Sequence, residues 1–453
     1  MGGGISTSGS SNTDFDYTGN SATLSASVEG GFSAEVSNAR GYGVGFSVNG
    51  EATTTHDVTT ENGVTTYTAN AEASITVQGE INTPQAGLEI ARTDGIQLEY
   101  QVSMPEDAAT PEAMANANFA DPSTMPVGTV IRVDDSQYTN NEFSATFRNI
   151  RVSSDITESE GSSMVVEKTG ENTVRVTVGP TAGIDAYNGV GVDFGVASAS
   201  IGNNTSLDSA TFHTAEFDLS TPEGQAAYNH FLATGEMPTQ NGNGVSGVQT
   251  IEKLDYDSQV SIEASLGPID VSVDGASSSL NSVRVTEPDG TSTVTSVLQY
   301  SDNVPMTVTQ HYDAEGNEIL DQRTYSYEVQ ASADNYQLLN VAVTGDVDQA
   351  ESGPVQPGQT VVVTMTHAQM EEYHAQAVDT VEQNHAHSDI AAMALDYDGN
   401  PVSTWQFATS IARNLGNSDY GVAETMFTIS ASADGDYANN SYEALPMTVE
   451  VKD

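Results

Sequence analysis

The stretch that says most about the fold lies in the middle of the chain and reads Asp257-Ser-Gln-Val-Ser-Ile-Glu-Ala-Ser-Leu-Gly-Pro-Ile-Asp-Val-Ser-Val-Asp-Gly275. Apolar and polar residues alternate on both sides of Gly267-Pro268, which predicts two β-strands joined by a tight turn. If the chain folds back there, Leu266 faces Ile269, and all the apolar side chains share one face. The other face then carries serine and acidic residues. The stretch predicts a long amphipathic hairpin.

The same alternation recurs along the chain and predicts a mainly β protein. We expect antiparallel meanders that form sandwich- or barrel-like blocks, with a smaller C-terminal α+β domain. The predicted segments are a flexible tail (1–20), a β meander (21–82), a connector with a short helix (83–126), a β block with a plugging helix at 221–234 (127–240), a β block with long hairpins (241–345), a linker (346–358) and the α+β domain (359–453).

The plugging helix has the clearest helix signals in the first half of the chain. Ser220 or Thr221 precedes Pro222, and Gly235 follows the apolar run, as expected of an N-cap, a first helical position and a C-cap. The pattern predicts a packing face made by Ala226, Ala227, His230 and Phe231. In the last domain, we predict helices over 366–395 and 403–415 and closing strands over 426–433 and 447–451.

Charge sets this chain apart, since 12 Lys and Arg stand against 63 Asp and Glu, giving a formal net charge of −51. Such a field repels phosphate backbones, so we predict no nucleic-acid partner. A basic partner or divalent cations would screen it. Solubility in a saline or extracellular setting is the simpler interpretation of the same composition.

The chain has no cysteine, which excludes disulfides, thiol catalysis and thiolate metal sites. A β-rich chain of this size without cysteine is typical of bacteria. The first residues, Met1-Gly-Gly-Gly-Ile-Ser, lack the features of a secretory signal, and no run approaches about 18 apolar residues. We therefore expect an extracellular or cell-surface location reached without a signal peptide, with a cytoplasmic location as the alternative.

Candidate metal ligands are concentrated in the last domain. His367, Glu371 and His374 fall at i, i+4 and i+7 of a predicted helix, and His385 and His387 follow. Imidazoles and a carboxylate on one helix face bind zinc, nickel or copper. These five residues are therefore the predicted metal site. A solvated helix face is the simpler interpretation.

Clusters of acidic residues suggest calcium as a second possible divalent cation. The clusters are Asp346/Asp348/Glu351, Asp396/Asp398/Asn400 and, on the central hairpin, Glu263/Asp270/Asp274. The chain has no Gly-x-Ser-x-Gly motif, no P-loop and no dinucleotide-binding glycine motif in a βαβ context. We accordingly predict no catalytic and no cofactor-binding residue, and an enzyme is the less favoured class.

These features together favour a non-enzymatic, acidic, bacterial protein that is secreted or surface-associated and has a binding or structural role. The alternative is a secreted effector or toxin. It would act on membranes by inserting β-hairpins, as pore-forming proteins do, or through its C-terminal domain. Each arm of the central hairpin is near the length of a transmembrane β-strand, about ten residues. The partner is left open between a membrane and a protein.

Overall fold

The structure is a computed structural model. It describes residues 4–18, 21–37, 43–61, 64–73, 77–83, 86–92, 96–109, 113, 117, 119, 121–135, 149–150, 152–154, 161–181, 210–254, 279–299, 304–383, 388–413, 418–431 and 442–452. The central hairpin, 257–275, lies outside these residues, so its insertion into membranes stays a prediction. His385 and His387 lie outside them as well.

The chain divides into two compact units, each with its own hydrophobic core. The N-terminal unit comprises Met1–Lys253 and Val285–Pro288, and the C-terminal unit comprises Leu254–Arg284 and Asp289–Asp453. Strand β13 (Ser279–Thr286) has residues in both. The predicted mainly β, antiparallel fold is confirmed.

The N-terminal unit begins with a ladder of long antiparallel strands. They are β1 (Gly4–Thr18), β2 (Ser21–Ser37), β3 (Gly43–Glu61), β4 (Val64–Ala73), β5 (Val77–Thr83) and β6 (Ala86–Arg92). β2 pairs with β1 and β3, β3 also pairs with β4 and β5, and β5 pairs with β6. β1 covers residues predicted as a flexible tail, because its Gly- and Ser-rich sequence has no apolar alternation from which to predict a strand.

A second antiparallel ladder follows in the same unit. It contains β7 (Ile96–Pro105), β8 (Val130–Asp135), β9 (Ser162–Glu167), β10 (Thr173–Pro180), β11 (Ala210–Asp218) and β12 (Val245–Leu254), paired in that order. β7 also pairs with β4. The region predicted as a connector, 83–126, therefore contributes β6 and β7 to the sheet. Its prolines obscured these strands in the sequence.

Helix α1 (Pro222–Thr234) covers the buried face of this second ladder. It ends at the predicted residue and begins one residue after the predicted start, with Thr221 as its N-cap. The Thr221 hydroxyl accepts a hydrogen bond from the Gly224 amide (3.1 Å), and Gly235 takes the left-handed conformation at φ 74° that ends the helix. The predicted packing face was only partly right, since Ala226 and His230 are exposed.

The buried face of α1 is instead formed by Gly224, Tyr228 and Phe231. A Cβ at position 224 would collide with the Asp218 carbonyl, so glycine lets the first turn lie against the end of β11. Phe217 then contacts the rings of Tyr228 and Phe231, with centroids 5.4 and 6.4 Å away. Because of this close approach, the helix packs through Gly224, Tyr228 and Phe231 and not through the face predicted from its alanines.

The C-terminal unit contains a series of antiparallel strands with helices packed on one face. Its strands are β14 (Ser292–Gln299), β15 (Met306–Tyr312), β16 (Thr324–Gln330), β17 (Thr360–Thr366) and β18 (Thr448–Lys452), antiparallel and paired in chain order. Its helices are α2 (Tyr336–Thr344), α3 (His367–Gln383), α4 (Ser388–Ala394), α5 (Thr404–Arg413) and α6 (Asp419–Ile429). No helix in the described residues is long and apolar enough to cross a membrane.

One continuous core joins these strands to all five helices. Two predictions for this region, a linker and a strand, differ from the structure. Val355, in the predicted linker 346–358, is fully buried in that core, so the segment does not separate two domains. The strand predicted over 426–433 was wrong, because residues 419–429 form α6. Its buried stripe of Val422, Met426 and Ile429 has helical spacing, and the Ser418 hydroxyl caps it.

Candidate functional site

His367 and Glu371 are the two predicted metal ligands that the structure brings together. His367 opens α3, and its Nε2 lies 3.5 Å from Glu371 Oε1. On its other side, Nδ1 lies 3.0 Å from the Tyr325 hydroxyl. We assign the tautomer in which Tyr325 donates to Nδ1 and Nε2–H points to Glu371, since this arrangement satisfies both contacts.

The Tyr325 hydroxyl links His367 to an ion pair that the sequence did not indicate. Arg323 donates from Nε and Nη2 to the two carboxylate oxygens of Glu318, at 2.6 and 2.5 Å. Its Nη1 lies 3.4 Å from the Tyr325 hydroxyl. This fork geometry fixes the guanidinium in a nearly buried position. No spacing rule connects residues 318, 323 and 367, because strand pairing and the start of α3 bring them together.

His374 has a different environment from His367. Its Nε2 lies 2.9 Å from the Ala394 carbonyl oxygen, so it donates a hydrogen bond there, and its ring stacks on Phe407 with centroids 4.5 Å apart. His367 and His374 are seven residues apart along one helix, which is about 10 Å. The structure therefore pairs His367 with Glu371 and places His374 in the core.

Within the described residues, no group of three His, Asp or Glu side chains is arranged to hold a metal ion. The metal site predicted at His367, Glu371, His374, His385 and His387 includes two residues outside that part of the chain, so it stays a prediction. In the predicted calcium loop at Asp396, Oδ1 accepts hydrogen bonds from the amides of Asp398 (2.9 Å) and Asn400 (2.8 Å). Those bonds, from Asn400 foremost, lower the pKa of Asp396 and stabilise the turn.

The position of His367 predicts that the C-terminal unit loses stability in mild acid. Burial lowers the pKa of His367 below its ordinary value of 6.5, and Glu371 offsets only part of this shift. Between the lowered value and 6.5, the unfolded chain therefore binds more protons than the folded one. The stability contributed by neutral His367 is complete above 6.5 and decreases as the pH falls below it. Urea denaturation at several pH values, followed by the fluorescence of Trp405, measures this decrease.

Replacing His367 with glutamine is expected to flatten this dependence between about pH 7 and pH 5.5, because the titrating group is gone. The matched control is His230→Gln, which removes an exposed imidazole from the N-terminal unit. If the free energy of unfolding depends on pH equally steeply in His367→Gln and in the parent chain, then His367 does not cause the loss of stability in acid.

A cavity of about 450 Å³ in the N-terminal unit brings together residues from distant parts of the sequence. We name it the Lys168 cavity, and its walls include Lys168, Asp121, Asn172, Gln225, Tyr228 and Asn229. Lys168 follows β9, and its backbone is held by hydrogen bonds of 2.8 Å to Thr129 O and from Gly128 N. No pattern in the sequence singled out this lysine.

A second cavity in the same unit, of about 440 Å³, is here named the His213 cavity. Its walls include His213, Glu236, Glu287, Met237, Pro238 and Pro288. His213 Nε2 donates to the Ser153 carbonyl (3.0 Å), and Nδ1 lies 3.3 Å from the Thr250 hydroxyl. The imidazole is therefore fixed in the wall by its two neighbours.

Comparison with protein-family models, curated proteins and solved structures gave no match to this chain.

Proposed function

We propose that this chain is a non-enzymatic, acidic, bacterial binding protein, secreted or surface-associated, and that its N-terminal unit accepts a basic group of a partner protein in the His213 cavity. The observation that carries the proposal is the presence of two carboxylates, Glu236 and Glu287, at one cavity with apolar walls. The net charge of −51 attracts cations from a distance, and the cavity provides a place where one is bound.

Glu287 lines the cavity and keeps one carboxylate oxygen for such a contact. Its Oε1 accepts a hydrogen bond of 2.5 Å from Gln249 Nε2, whereas no hydrogen bond in the described part of the chain engages its Oε2. Glu236 contacts His230 at 3.2 Å, but both side chains are exposed, so water and ligands compete for that contact. An ammonium or guanidinium group entering the cavity would form charge-assisted hydrogen bonds with both carboxylates.

The other walls suit the aliphatic part of a lysine or arginine side chain. Met237, Pro238 and Pro288 line the cavity with apolar surface, along which methylene groups pack while the charged head reaches the carboxylates. The cavity volume of about 440 Å³ lies in the range of small-ligand sites. A basic side chain of a partner therefore satisfies both the shape and the charge of this cavity.

Removing both carboxylates of the cavity is expected to weaken binding of a basic ligand. The probe is N-acetyl-arginine amide, and its uncharged analogue is N-acetyl-citrulline amide. In a calorimetric or NMR titration, Glu236→Gln combined with Glu287→Gln should weaken arginine binding at least about tenfold, since each charge-assisted hydrogen bond contributes about 1.5 kcal/mol or more. The citrulline analogue should bind weakly to both proteins.

The control is Asp348→Asn combined with Glu351→Gln, which removes the same number of charges from exposed positions in the other unit. This pair should leave arginine binding within about twofold of the parent value, because exposed charges that do not line the cavity are screened by salt. Equal weakening by the two pairs would show a diffuse charge effect and would overturn the assignment to the His213 cavity.

A further inference from the structure

The Lys168 cavity has a feature that the proposed function does not use. Lys168 is only 2% exposed, and it lines the cavity. None of the hydrogen bonds and ion pairs among the described residues uses its amine. A buried ammonium group normally has oxygen partners, because removing it from water is costly. Water or a ligand in the cavity supplies the partners of this amine.

The local charges indicate the kind of occupant. Burial lowers the pKa of Lys168, and the nearby carboxylates of Asp121 and Glu171 oppose that shift. One amine and two carboxylates therefore lie close together. An anionic ligand would be repelled by Asp121 and by a chain of net charge −51. A cationic ligand would be attracted by the carboxylates, but it would place a second positive charge beside the Lys168 amine and would offer that amine no acceptor. The balance favours a neutral ligand.

The remaining polar walls offer both donors and acceptors. The side-chain amides of Asn172 and Asn229 are exposed at the cavity, and no described hydrogen bond engages them. Gln225 donates from Nε2 to the Leu219 carbonyl (2.7 Å), which leaves its amide oxygen as an acceptor. Hydroxyl groups donate and accept at once, so a ligand with several hydroxyls can satisfy an amine, a carboxylate and three amides together.

Tyr228 supplies apolar surface beside these groups. Its hydroxyl donates to the Phe119 carbonyl, and its ring is fixed against Phe217 in the core. Leu219 and Pro122 also contribute apolar groups to the lining. Neutral sugars present polar hydroxyl edges and apolar C–H faces to their surroundings, which suits a lining that contains both polar and apolar groups.

We infer that the Lys168 cavity is a binding site for a neutral carbohydrate, with the Lys168 amine donating to ring or hydroxyl oxygens and Asp121 accepting from a hydroxyl. This site is separate from the His213 cavity and does not depend on the proposed function. The side-chain amides of Asn172, Gln225 and Asn229 contact the outer hydroxyls of the sugar.

The test uses the full chain and saturation-transfer NMR with glucose, galactose and N-acetylglucosamine as neutral probes. Glucose 6-phosphate and glucosamine are the charged probes. We expect saturable binding of at least one neutral sugar, and weaker or no binding of its charged counterparts. Lys168→Met should weaken the binding at least about tenfold. The matched control Lys452→Met, which changes an exposed lysine of the C-terminal unit, should have no effect.

Asn229→Ala keeps the test decisive if Lys168→Met fails to fold, because this exposed amide can be removed without disturbing the core. It should weaken sugar binding several-fold. The Glu236→Gln and Glu287→Gln pair should bind sugar normally, which separates this inference from the proposed function. The inference is overturned if no neutral probe binds, if glucose 6-phosphate binds more tightly, or if neither Lys168→Met nor Asn229→Ala weakens binding.

Discussion

Replacing Asn340 with alanine is expected to lower the free energy of unfolding of the C-terminal unit by about 3–5 kcal/mol, because buried groups that lose their partner cost about 1–3 kcal/mol each. Asn340 is fully buried in α2. Its Nδ2 donates to the carbonyls of Ala350 (3.1 Å) and Val355 (3.0 Å), and its Oδ1 accepts from the Val355 amide (2.9 Å). Alanine would leave all three backbone groups without this partner.

Denaturation by urea, followed by tryptophan fluorescence, measures this effect in the correct unit. The chain has one tryptophan, Trp405, and it is buried in α5 of the C-terminal unit. Asn340→Leu separates the hydrogen bonds from the volume, because leucine fills the space without replacing the bonds, and it should cost nearly as much as alanine. The exposed Asn229→Ala should change stability by less than about 0.5 kcal/mol. A small effect of both Asn340 variants would show that the 346–358 segment is not held by this amide.

The contacts of the Asn340 amide also show why the prediction of a linker at 346–358 failed. The glycines, prolines and acidic residues of this segment are typical of a linker, and nothing in them indicates attachment to the core. The attachment comes from Asn340, which lies in a different element, and from Gly353, where a Cβ would collide with the Asn340 side chain. Such a contact depends on the tertiary structure, so a reading of local composition does not reveal it.

Signals within one turn of a helix were, by contrast, sufficient to predict α1. Thr221, Pro222 and Gly235 each act on the neighbouring backbone, so their effect is the same in the sequence and in the fold. The side of α1 that packs was not predictable in the same way, because it depends on how closely Gly224 approaches β11. Local chemistry therefore determined the limits of this helix, and packing determined its orientation.

In the candidate sites too, local sequence predicted which element carries a residue but not which residues contact it. The spacing of His367, Glu371 and His374 correctly placed them on one helix, but the partners of each histidine come from other elements. Tyr325 on β16 bonds to His367, and Ala394 and Phe407 contact His374. Neither cavity of the N-terminal unit was predicted, because the Lys168 cavity joins residues 121, 168 and 225 only after the sheet has formed.

Phe407→Ala is expected to lower the free energy of unfolding of the C-terminal unit by about 3–5 kcal/mol, the usual cost of deleting a buried phenylalanine ring. Phe407 is fully buried in α5. It packs edge-on against Tyr373, with centroids 5.5 Å apart, and face-on against His374 at 4.5 Å. Removing it leaves a cavity between α3 and α5 and deprives the His374 imidazole of its stacking partner.

Phe407→Leu is the matched control, since it keeps most of the apolar volume but loses both ring contacts. Phe407→Leu should lower the free energy of unfolding by a smaller amount, about 1–1.5 kcal/mol. The difference between the two variants measures the effect of the cavity that alanine leaves. The His374 ring also keeps its hydrogen bond to Ala394 in both variants, so one-dimensional NMR of the imidazole protons should show a larger shift in the alanine variant than in the leucine variant. If Phe407→Ala costs less than about 1 kcal/mol, then His374 does not depend on this stacking, and the assignment of its ring to the core would be wrong.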